Sequence, residues 1–402
     1  MNKSILSDRV LNMSVSATLQ MTDKSRELKA QGIDVIALSI GEPDFDTPNS
    51  VKESAKTAID NNLTHYPPVP GLPALREAIC NKLKRDNNLD YDVAQIVVST
   101  GAKHSLANVF MSILNEGDEV IVPAPYWVSY PEMIKLAGGK TITVDAGIDQ
   151  NFKLNPEQLE KAITPKTKAF LFNSPSNPTG SVYTLDELEK IAEVLEKYPH
   201  VLIISDEIYE LINFVGKHHS LASFPKLKDR VVLINGVSKG FAMTGWRIGY
   251  MAAPIEIAKA CTKLQGQFTS GASTISQAAA MEAVNTNPSE SAELKDMLVQ
   301  FKSRRDFLVK LLKEVPGIKA NIPGAAFYLF PDVSFYYGKS NGDIKINDSN
   351  DLALYLLEKG HVALVAGDAF GSPEYIRISY ATSMDNIAEA VKRIKEALGN
   401  LK

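Results

Sequence analysis

Short apolar runs rich in β-branched residues recur between residues 95 and 255, with helix-like segments between them. Runs that are apolar at successive positions are typical of strands buried on both faces. They lie at 96–98, 120–122, 169–172, 201–204 and 231–234. The clearest helix begins at Thr184, whose hydroxyl would form a capping box with Glu187. Strands that alternate with helices predict an α/β fold with a mostly parallel sheet.

Unusual polar and aromatic residues follow each predicted strand. Ligands of parallel sheets bind beyond the carboxyl ends of the strands, which meet at one edge. The segments at this edge are 100–103, 125–127, 174–180, 206–209 and 236–239. We therefore expect the chemistry of the protein to lie at this edge.

The pattern changes near residue 290, where a charged amphipathic helix passes through Arg304. Short predicted strands follow at 326–330, 362–365 and 375–379. These elements indicate a smaller α+β domain, and the turn-rich segment 41–48 would link it to the first forty residues. We predict a large domain over 46–288 and a small domain formed by 1–45 and 289–402.

Composition excludes several classes of protein. Hydrophobic residues make up 45% and charged residues 22% of the 402 residues, which is typical of a folded globular chain. The net charge of −4 offers no bulk attraction for nucleic acid. Cys80 and Cys261 lie far apart without C-x-x-C spacing, which argues against a disulfide framework or a cysteine-rich metal site.

The chain also lacks the signals of export or membrane insertion. No window approaches the eighteen apolar residues of a membrane span, and residues 1–23 have no apolar core of a signal peptide. We therefore expect a cytoplasmic protein without nucleic-acid or membrane partners.

Lys239 is the first candidate for chemistry. A lysine in a loop is usually a solvated charge. Lys239, however, follows a buried strand, and Arg247 lies eight residues on. Arg247 would supply a cation for a phosphate and help to depress the pKa of the lysine. A lysine that forms a Schiff base needs such a depressed pKa.

Asp206 follows the predicted strand 201–204 at its carboxyl end. It would either cap a following helix or keep a pyridinium nitrogen protonated. Tyr209, three residues later, and Asn177 are candidate donors to a phenolic oxygen of the same ring. The alternative for Asn177 is a plain double turn, which the flanking prolines would equally explain.

Two further residues have a structural and a functional interpretation. Trp127 would be either core or a platform that stacks on a ring. Arg377 alternates with Ile376 and Ile378, so it faces the other side of its strand. It is either a surface arginine or a bidentate carboxylate ligand.

These motifs together resemble a known family. Residues 238–249 read Ser-Lys-x-x-x-x-x-Gly-x-Arg-x-Gly, and they combine with Asn-Pro-Thr-Gly at 177–180, Asp206-x-x-Tyr209 and Arg377. This set resembles the class I/II aminotransferases, which are fold-type I pyridoxal phosphate enzymes. The segments 41–48, 125–131 and 241–247 are similar to those of the Ib branch of aspartate aminotransferases.

The resemblance implies a fold, a cofactor and a set of roles. The large domain would contain a mostly parallel seven-stranded sheet, and Lys239 would carry pyridoxal 5′-phosphate and move the substrate α-proton. Asp206 would pair with the ring nitrogen, and Tyr209 and Asn177 would hold the phenolic oxygen. Trp127 would stack on the ring and also border the substrate.

The resemblance further assigns binding residues and a partner. Arg377 and the backbone of Gly41 would bind the substrate carboxylate, with Asn177 beside them. The phosphate would lie among Gly101, Ala102, Ser238 and Arg247, next to Lys103. Tyr66 would reach it from a second subunit, which implies a homodimer with shared active sites.

The substrate is inferred from the same branch. Lys103 and Thr18 occupy positions associated with the distal carboxylate of aspartate and glutamate. The resemblance therefore implies an aspartate aminotransferase that uses 2-oxoglutarate and yields oxaloacetate and glutamate. A prephenate aminotransferase that makes arogenate and a β-lyase of the same fold remain alternatives. His104 stands where the branch has glutamine, and contact with the pocket would weaken this assignment.

Two weaker motifs favour other functions. The sequence G-x-S-x-G at 236–240 is also that of the nucleophile elbow of serine hydrolases. The elbow requires a helix directly after it and a downstream histidine, but Thr244 and Gly245 interrupt a helix and only His361 follows, in a strand-like run. The phosphate loop suggested by 139–141 fails because Ile134 stands where its first glycine is required.

Overall fold

The computed structural model describes residues 5–402. Residues 1–4, which belong to the predicted small domain, lie outside the described residues. The strands are β1 Ile36–Ala37, β2 Ile96–Ser99, β3 Glu119–Ala124, β4 Lys140–Asp145, β5 Thr167–Asn173, β6 Leu202–Asp206, β7 Val231–Gly236, β8 Gly249–Ala252, β9 Tyr328–Leu329, β10 Ser340–Asn341, β11 Ile344–Lys345, β12 Val362–Ala363, β13 Val365–Ala366 and β14 Ile376–Ser379.

The α-helices surround these strands. They are α1 Asp8–Leu11, α2 Ala17–Ala30, α3 Asn49–Asp60, α4 Pro73–Asn87, α5 Ala102–Ile113, α6 Tyr130–Leu136, α7 Pro156–Ala162, α8 Leu185–Glu196, α9 Ile255–Phe268, α10 Thr274–Asn285, α11 Ala292–Leu312, α12 Ser349–Gly360 and α13 Met384–Gly399. None of the helices within residues 5–402 combines the length and the apolarity needed to cross a bilayer. The predicted capping box at Thr184 is confirmed at the start of α8.

A seven-stranded sheet forms the centre of the molecule, with the strand order β2-β8-β7-β6-β5-β3-β4. The strands from β4 to β7 run parallel, whereas β8 is antiparallel to both of its neighbours. Successive residues pack on opposite faces, with Ile121 in one core cluster and Val120 and Val122 in the other. The predicted mostly parallel sheet is therefore confirmed, with one strand reversed.

The C-terminal part contains a three-stranded antiparallel sheet, β13-β14-β9. Next to it, β1 pairs in parallel with β12, so that Ile36 lies opposite Val362. This pairing ties the N-terminal segment to the C-terminal elements. The boundaries at 45/46 and 288/289 stay predictions.

The position of Arg377 decides between its two predicted interpretations. All four residues of β14 are buried, and Arg377 itself is only 2% exposed. The interpretation of Arg377 as a surface arginine is therefore wrong, because the strand is covered on both faces.

Candidate active site

A cavity of about 330 Å³ lies at the edge of the sheet where the parallel strands end. Most of the predicted site residues line it: Thr18, Gly41, Ala102, Lys103, Trp127, Asn177, Asp206, Tyr209, Ser238, Lys239, Arg247 and Arg377. The structure therefore brings together segments that lie far apart in the sequence. Their chemical roles stay predictions.

Two predicted residues do not line the cavity, and the reasons differ. Gly101 lies directly behind Arg247, where a Cβ atom would collide with the guanidinium. Tyr66 is 95% exposed, as expected of a residue predicted to serve another subunit. His104 does not line the cavity either: its Nδ1 accepts a hydrogen bond from the Thr100 amide at 3.2 Å. The departure from glutamine at this position therefore does not touch the cavity.

Lys239 projects into the cavity from the loop after β7. Its Nζ donates a hydrogen bond to the Gly41 carbonyl at 2.7 Å. Burial lowers the pKa of Lys239 to about 8; the carboxylate of Glu42 opposes this shift, and Arg377 and Arg247 reinforce it. The amine is therefore partly neutral near physiological pH, as a nucleophile or base requires.

Asp206 is the last residue of β6. No helix begins after it, so the helix-cap alternative is wrong. Its carboxylate accepts hydrogen bonds from the Tyr130 hydroxyl at 2.6 Å and from the Ile208 amide at 3.3 Å. Burial raises the pKa of Asp206 to about 6, although both hydrogen bonds oppose the rise. A cation beside this carboxylate would stabilise its charged form.

Arg377 is a buried cation without a carboxylate partner among residues 5–402. Its guanidinium donates to Asn177 Oδ1 at 3.1 Å and to the Ser39 carbonyl at 2.7 Å. Its buried Nε has no hydrogen-bond partner among the described residues. The rings of Tyr328 and Phe370 lie 4.6 and 5.0 Å from the guanidinium carbon. A buried, unpaired guanidinium at a cavity is suited to bind an anion.

A second anion site lies at the start of α5. Gly101 has a φ of +84°, and it allows the Arg247 guanidinium to lie against the backbone. Gly249 makes a similarly close approach to Ala102. Arg247 is held in place because its Nη1 donates to the Thr244 carbonyl at 2.8 Å. A guanidinium at a helix N-terminus, in a cavity that Ser238 also lines, matches the donor set that phosphate requires.

Trp127 and Lys103 lie together in the wall of the cavity. The Lys103 ammonium lies 4.8 Å from the centre of the Trp127 ring, which packs edge-on against Tyr130 at 5.3 Å. Burial, reinforced by the charge of Arg247, lowers the pKa of Lys103. Thr18 reaches the same wall from α2.

Sequence reasoning missed several residues that line the cavity. Tyr130, Asn173 and Tyr328 are among them. Tyr328 is notable because its hydroxyl lies 2.9 Å from that of Tyr209. Tyr130 lies in the segment 125–131 and Tyr328 in the strand predicted at 326–330, so the motifs contained both without indicating which way either points.

The rival serine-hydrolase site is not assembled. A turn follows Ser238, and the next helical element is a short 3₁₀ helix at Thr244–Trp246. No histidine lines the cavity among the described residues. His361 follows α12 with a φ of +54°, directly precedes β12 and is half-buried outside the cavity.

The site as a whole fits the predicted cofactor. Gly101 at the start of α5, Gly249 at the start of β8, Arg247 and Ser238 would form a cradle for a phosphate. The low-pKa amine of Lys239 suits a Schiff base, and the buried carboxylate of Asp206 suits a protonated ring nitrogen.

Comparisons with known proteins agree with this geometry. The family model "Aminotransferase class I and II" matches residues 33–394. A probable aspartate/prephenate aminotransferase of Rickettsia bellii is 50% identical, with 99% of this chain and 100% of the relative covered. A bifunctional aspartate aminotransferase and glutamate/aspartate-prephenate aminotransferase of Petunia hybrida is 48% identical, with 99% of this chain and 83% of the relative covered.

Solved structures give the same result. The aspartate aminotransferase of Rhizobium meliloti superposes with a TM-score of 0.95 at 41% identity, and the full length of both chains is covered. That of Thermus thermophilus with maleate has a TM-score of 0.92 at 40% identity, with 98% of this chain and 100% of that chain covered. The predicted fold-type I architecture is thereby confirmed, and the chain belongs to the class I and II aminotransferases.

Proposed function

We propose that this protein transfers the amino group of L-aspartate to 2-oxoglutarate, with pyridoxal 5′-phosphate as cofactor. The products are oxaloacetate and L-glutamate. One observation carries the proposal: a lysine of lowered pKa lies in a cavity lined by four cationic side chains and one carboxylate. The cations are Lys103, Lys239, Arg247 and Arg377, and the carboxylate is Asp206. This excess of positive charge favours dianionic substrates and a phosphate.

The cofactor supplies an electron sink for the pair left when the substrate α-proton departs. The chain supplies the base, because the neutral amine of Lys239 accepts that proton on its Nζ atom. Asp206 would pair with the ring nitrogen of the cofactor and keep it protonated. Tyr209 and Asn177 would hold its phenolic oxygen.

The substrate is oriented by cations from two parts of the chain. Arg377 holds the α-carboxylate, helped by its unpartnered Nε and by the nearby Gly41 backbone. Lys103 and Thr18 receive the distal carboxylate. The keto diacid that forms retains both carboxylates, so the same contacts serve the reverse half-reaction.

The absorbance spectrum of the purified protein tests this proposal. We expect a visible band of lysine-bound cofactor, which L-aspartate without a keto acid converts to the near-ultraviolet band of the aminated cofactor. Lys239→Ala should bind the cofactor noncovalently and lose turnover. Full activity in Lys239→Ala, or no visible band after addition of pyridoxal phosphate, would refute the proposal. An intact band that aspartate leaves unchanged would refute only the assignment of L-aspartate as the substrate.

Lys103→Ala tests the choice of a dicarboxylate. We expect the KM for aspartate to rise about 10- to 100-fold, since a charge-assisted contact is lost, whereas the KM for a neutral amino acid changes little. The matched control is Lys140→Ala, which removes an exposed lysine from β4. Equal effects on both substrates would mean that other residues recognise the distal carboxylate.

A prephenate aminotransferase is the second candidate. A neighbouring cavity of about 600 Å³ shares Lys103, Val128 and Ser129 with the first cavity, which provides room for a bulkier dicarboxylate. Aspartate-dependent formation of arogenate from prephenate would support it. Release of pyruvate from a β-substituted amino acid would instead indicate the β-lyase alternative.

A homodimer with shared sites is part of the proposal, and it rests on the exposed Tyr66. Tyr66→Phe should weaken cofactor binding, and sedimentation should give twice the chain mass. A monomer with full cofactor affinity would contradict this. We place the protein in the cytoplasm, in keeping with its two free cysteines.

A further inference from the structure

Tyr328 connects three parts of the candidate site. It lies on β9, paired with β14, and is only 1% exposed. Its hydroxyl is 2.9 Å from the Tyr209 hydroxyl, and its ring lies 4.6 Å from the Arg377 guanidinium carbon. The hydroxyl also lies so close to Gly41 that a Cβ there would be 2.7 Å away. Tyr328 thus contacts Arg377, which is proposed to hold the substrate carboxylate, and Tyr209, which is proposed to hold the phenolic oxygen of the cofactor.

The bond between the two hydroxyls contains one proton, so one tyrosine donates and the other accepts. If Tyr209 donates to Tyr328, its proton is directed away from the cavity. If Tyr328 donates, the proton of Tyr209 is free for an acceptor in the cavity. The direction of this single bond therefore decides whether Tyr209 is a donor to a ligand.

The surroundings favour Tyr328 as the donor. The groups that face it are Tyr209 on the turn after β6, and Arg377 and Tyr380 on and after β14. Burial raises the pKa of Tyr328, but the charge of Arg377 and the bond to Tyr209 offset part of this rise. Burial, with Tyr328 and Asp206 adding to it and Arg377 opposing it in part, raises the pKa of Tyr209 well above its usual value. The hydroxyl beside the guanidinium is therefore the stronger acid and the better donor.

We propose that Tyr328 is a positioning residue that donates its hydroxyl proton to Tyr209 and so directs the Tyr209 proton to the phenolic oxygen of the cofactor. Arg377 strengthens this donation because its guanidinium lies on the Tyr328 ring. The inference rests on the proposed function and adds a link between the carboxylate site and the phenolic oxygen.

Tyr328→Phe tests this link because it removes the hydroxyl and keeps the ring on Arg377. The readout is the midpoint of the pH titration of the visible band in the loaded protein. We expect the midpoint to rise by about 0.5 to 1 unit, a 3- to 10-fold gain in proton affinity, because a weaker Tyr209 donor stabilises the phenolate less. The matched control is Tyr380→Phe, which removes a buried hydroxyl bonded to the Ala326 carbonyl at 3.1 Å outside the cavity, and it should leave the midpoint unchanged.

A double-mutant comparison separates action through Tyr209 from a general disturbance. Tyr328→Phe should have no further effect on the midpoint in a Tyr209→Phe background. An equal shift in both backgrounds, or no shift in Tyr328→Phe when Tyr209→Phe does shift the midpoint, would overturn the inference. If the wild-type protein shows no visible band, the proposed function itself fails.

A second substitution covers the case in which Tyr328→Phe does not fold. A fluorotyrosine in place of Tyr328 keeps the shape and makes the hydroxyl more acidic. It should therefore lower the midpoint, opposite in sign to Tyr328→Phe. A midpoint that rises or does not change would overturn the inference.

Discussion

Asp206 and Glu207 are adjacent carboxylates, both almost fully buried, yet their environments differ. Asp206 lines the cavity, where one hydroxyl, that of Tyr130, and one long backbone contact to Ile208 serve its two oxygens. Burial therefore dominates and raises the pKa of Asp206 to about 6.

Glu207 does not line the cavity and is surrounded by donors. Its Oε1 accepts hydrogen bonds from Ser205 at 2.8 Å and from Ser220 at 2.5 Å, and its Oε2 lies 2.8 Å from His218 Nε2. Burial works to lower the pKa of His218, but the charge and the hydrogen bond of Glu207, together with the charge of Glu210, outweigh burial and raise that pKa. The fold therefore provides hydrogen-bond donors for the carboxylate of Glu207, whereas it leaves the carboxylate of Asp206 able to bind a cation in the cavity.

Among substitutions of the two carboxylates and their donors, Asp206→Asn should have the largest effect on catalysis. An amide cannot keep a proton on the ring nitrogen, so we expect kcat to fall about 10³-fold, within the range of acid–base contributions. The measurement is the rate of the half-reaction with L-aspartate. A loss below about tenfold would mean that the two carboxylates do not differ in function.

The same substitution should change how the stability of the cofactor-free protein depends on pH. The pKa of Asp206 is about 6 when folded, against 3.8 ordinarily, so the folded state binds its proton more tightly. Wild-type stability should therefore fall as the pH rises from about 4 to 6, by at most about 3 kcal/mol. Asp206→Asn should lack this contribution. Urea unfolding at pH 4 and pH 7 measures it, and parallel curves for both proteins would contradict it.

Glu207→Gln should affect stability rather than catalysis. It weakens charge-assisted bonds to His218 and the two serines, so we expect a loss of about 2 to 4 kcal/mol in the free energy of unfolding. The kcat of the folded variant should stay within about threefold of wild type. Urea unfolding and steady-state kinetics on the same sample separate the two effects. A large fall in kcat with unchanged stability would mean that Glu207 serves catalysis and not stability.

The sequence predicts only part of the difference between the environments of Asp206 and Glu207. Asp206 is predicted because it ends a β-branched run, and the ends of parallel strands meet at one edge. The same rule places Lys239 and Asn177 there. Glu207 has no such signal, because its donors Ser220 and His218 come from a loop without periodicity, and only folding brings them together.

The remaining discrepancies also have physical causes. Periodicity gives the alternation of β14 but not what covers each face, so the burial of Arg377 could not be decided. The reversed direction of β8 depends on how its connection crosses the sheet edge. Tyr130 and Tyr328 reach the cavity from α6 and β9, elements whose orientation a strand-end rule does not predict.

Tyr130→Phe should lower the rate of the half-reaction less than Asp206→Asn does and more than Ser220→Ala does. It removes the hydroxyl that stabilises the charged form of Asp206, so the pKa of that carboxyl rises further above 6. We expect a 3- to 10-fold lower rate at pH 7, about 1 kcal/mol, and a smaller difference at pH 9, where Asp206 is ionised in both proteins. The pH–rate profile of the half-reaction measures this. A deficit that is the same at both pH values would mean that the Tyr130 hydroxyl does not act through the protonation of Asp206.

Ser220→Ala should have the smallest effect on catalysis. Glu207 keeps Ser205 and His218, but two hydrogen bonds are lost: the one to Glu207 and the one that Ser220 Oγ accepts from the Ala222 amide at 3.1 Å. The free energy of unfolding should therefore fall by about 1 to 2 kcal/mol, with kcat unchanged. The control is Ser223→Ala, whose exposed hydroxyl bonds only the Ser220 carbonyl and should cost less than about 0.5 kcal/mol. A tenfold fall in kcat in Ser220→Ala, with stability intact, would mean that the donors around Glu207 also set the position of Asp206. The two carboxylates would then act as one unit.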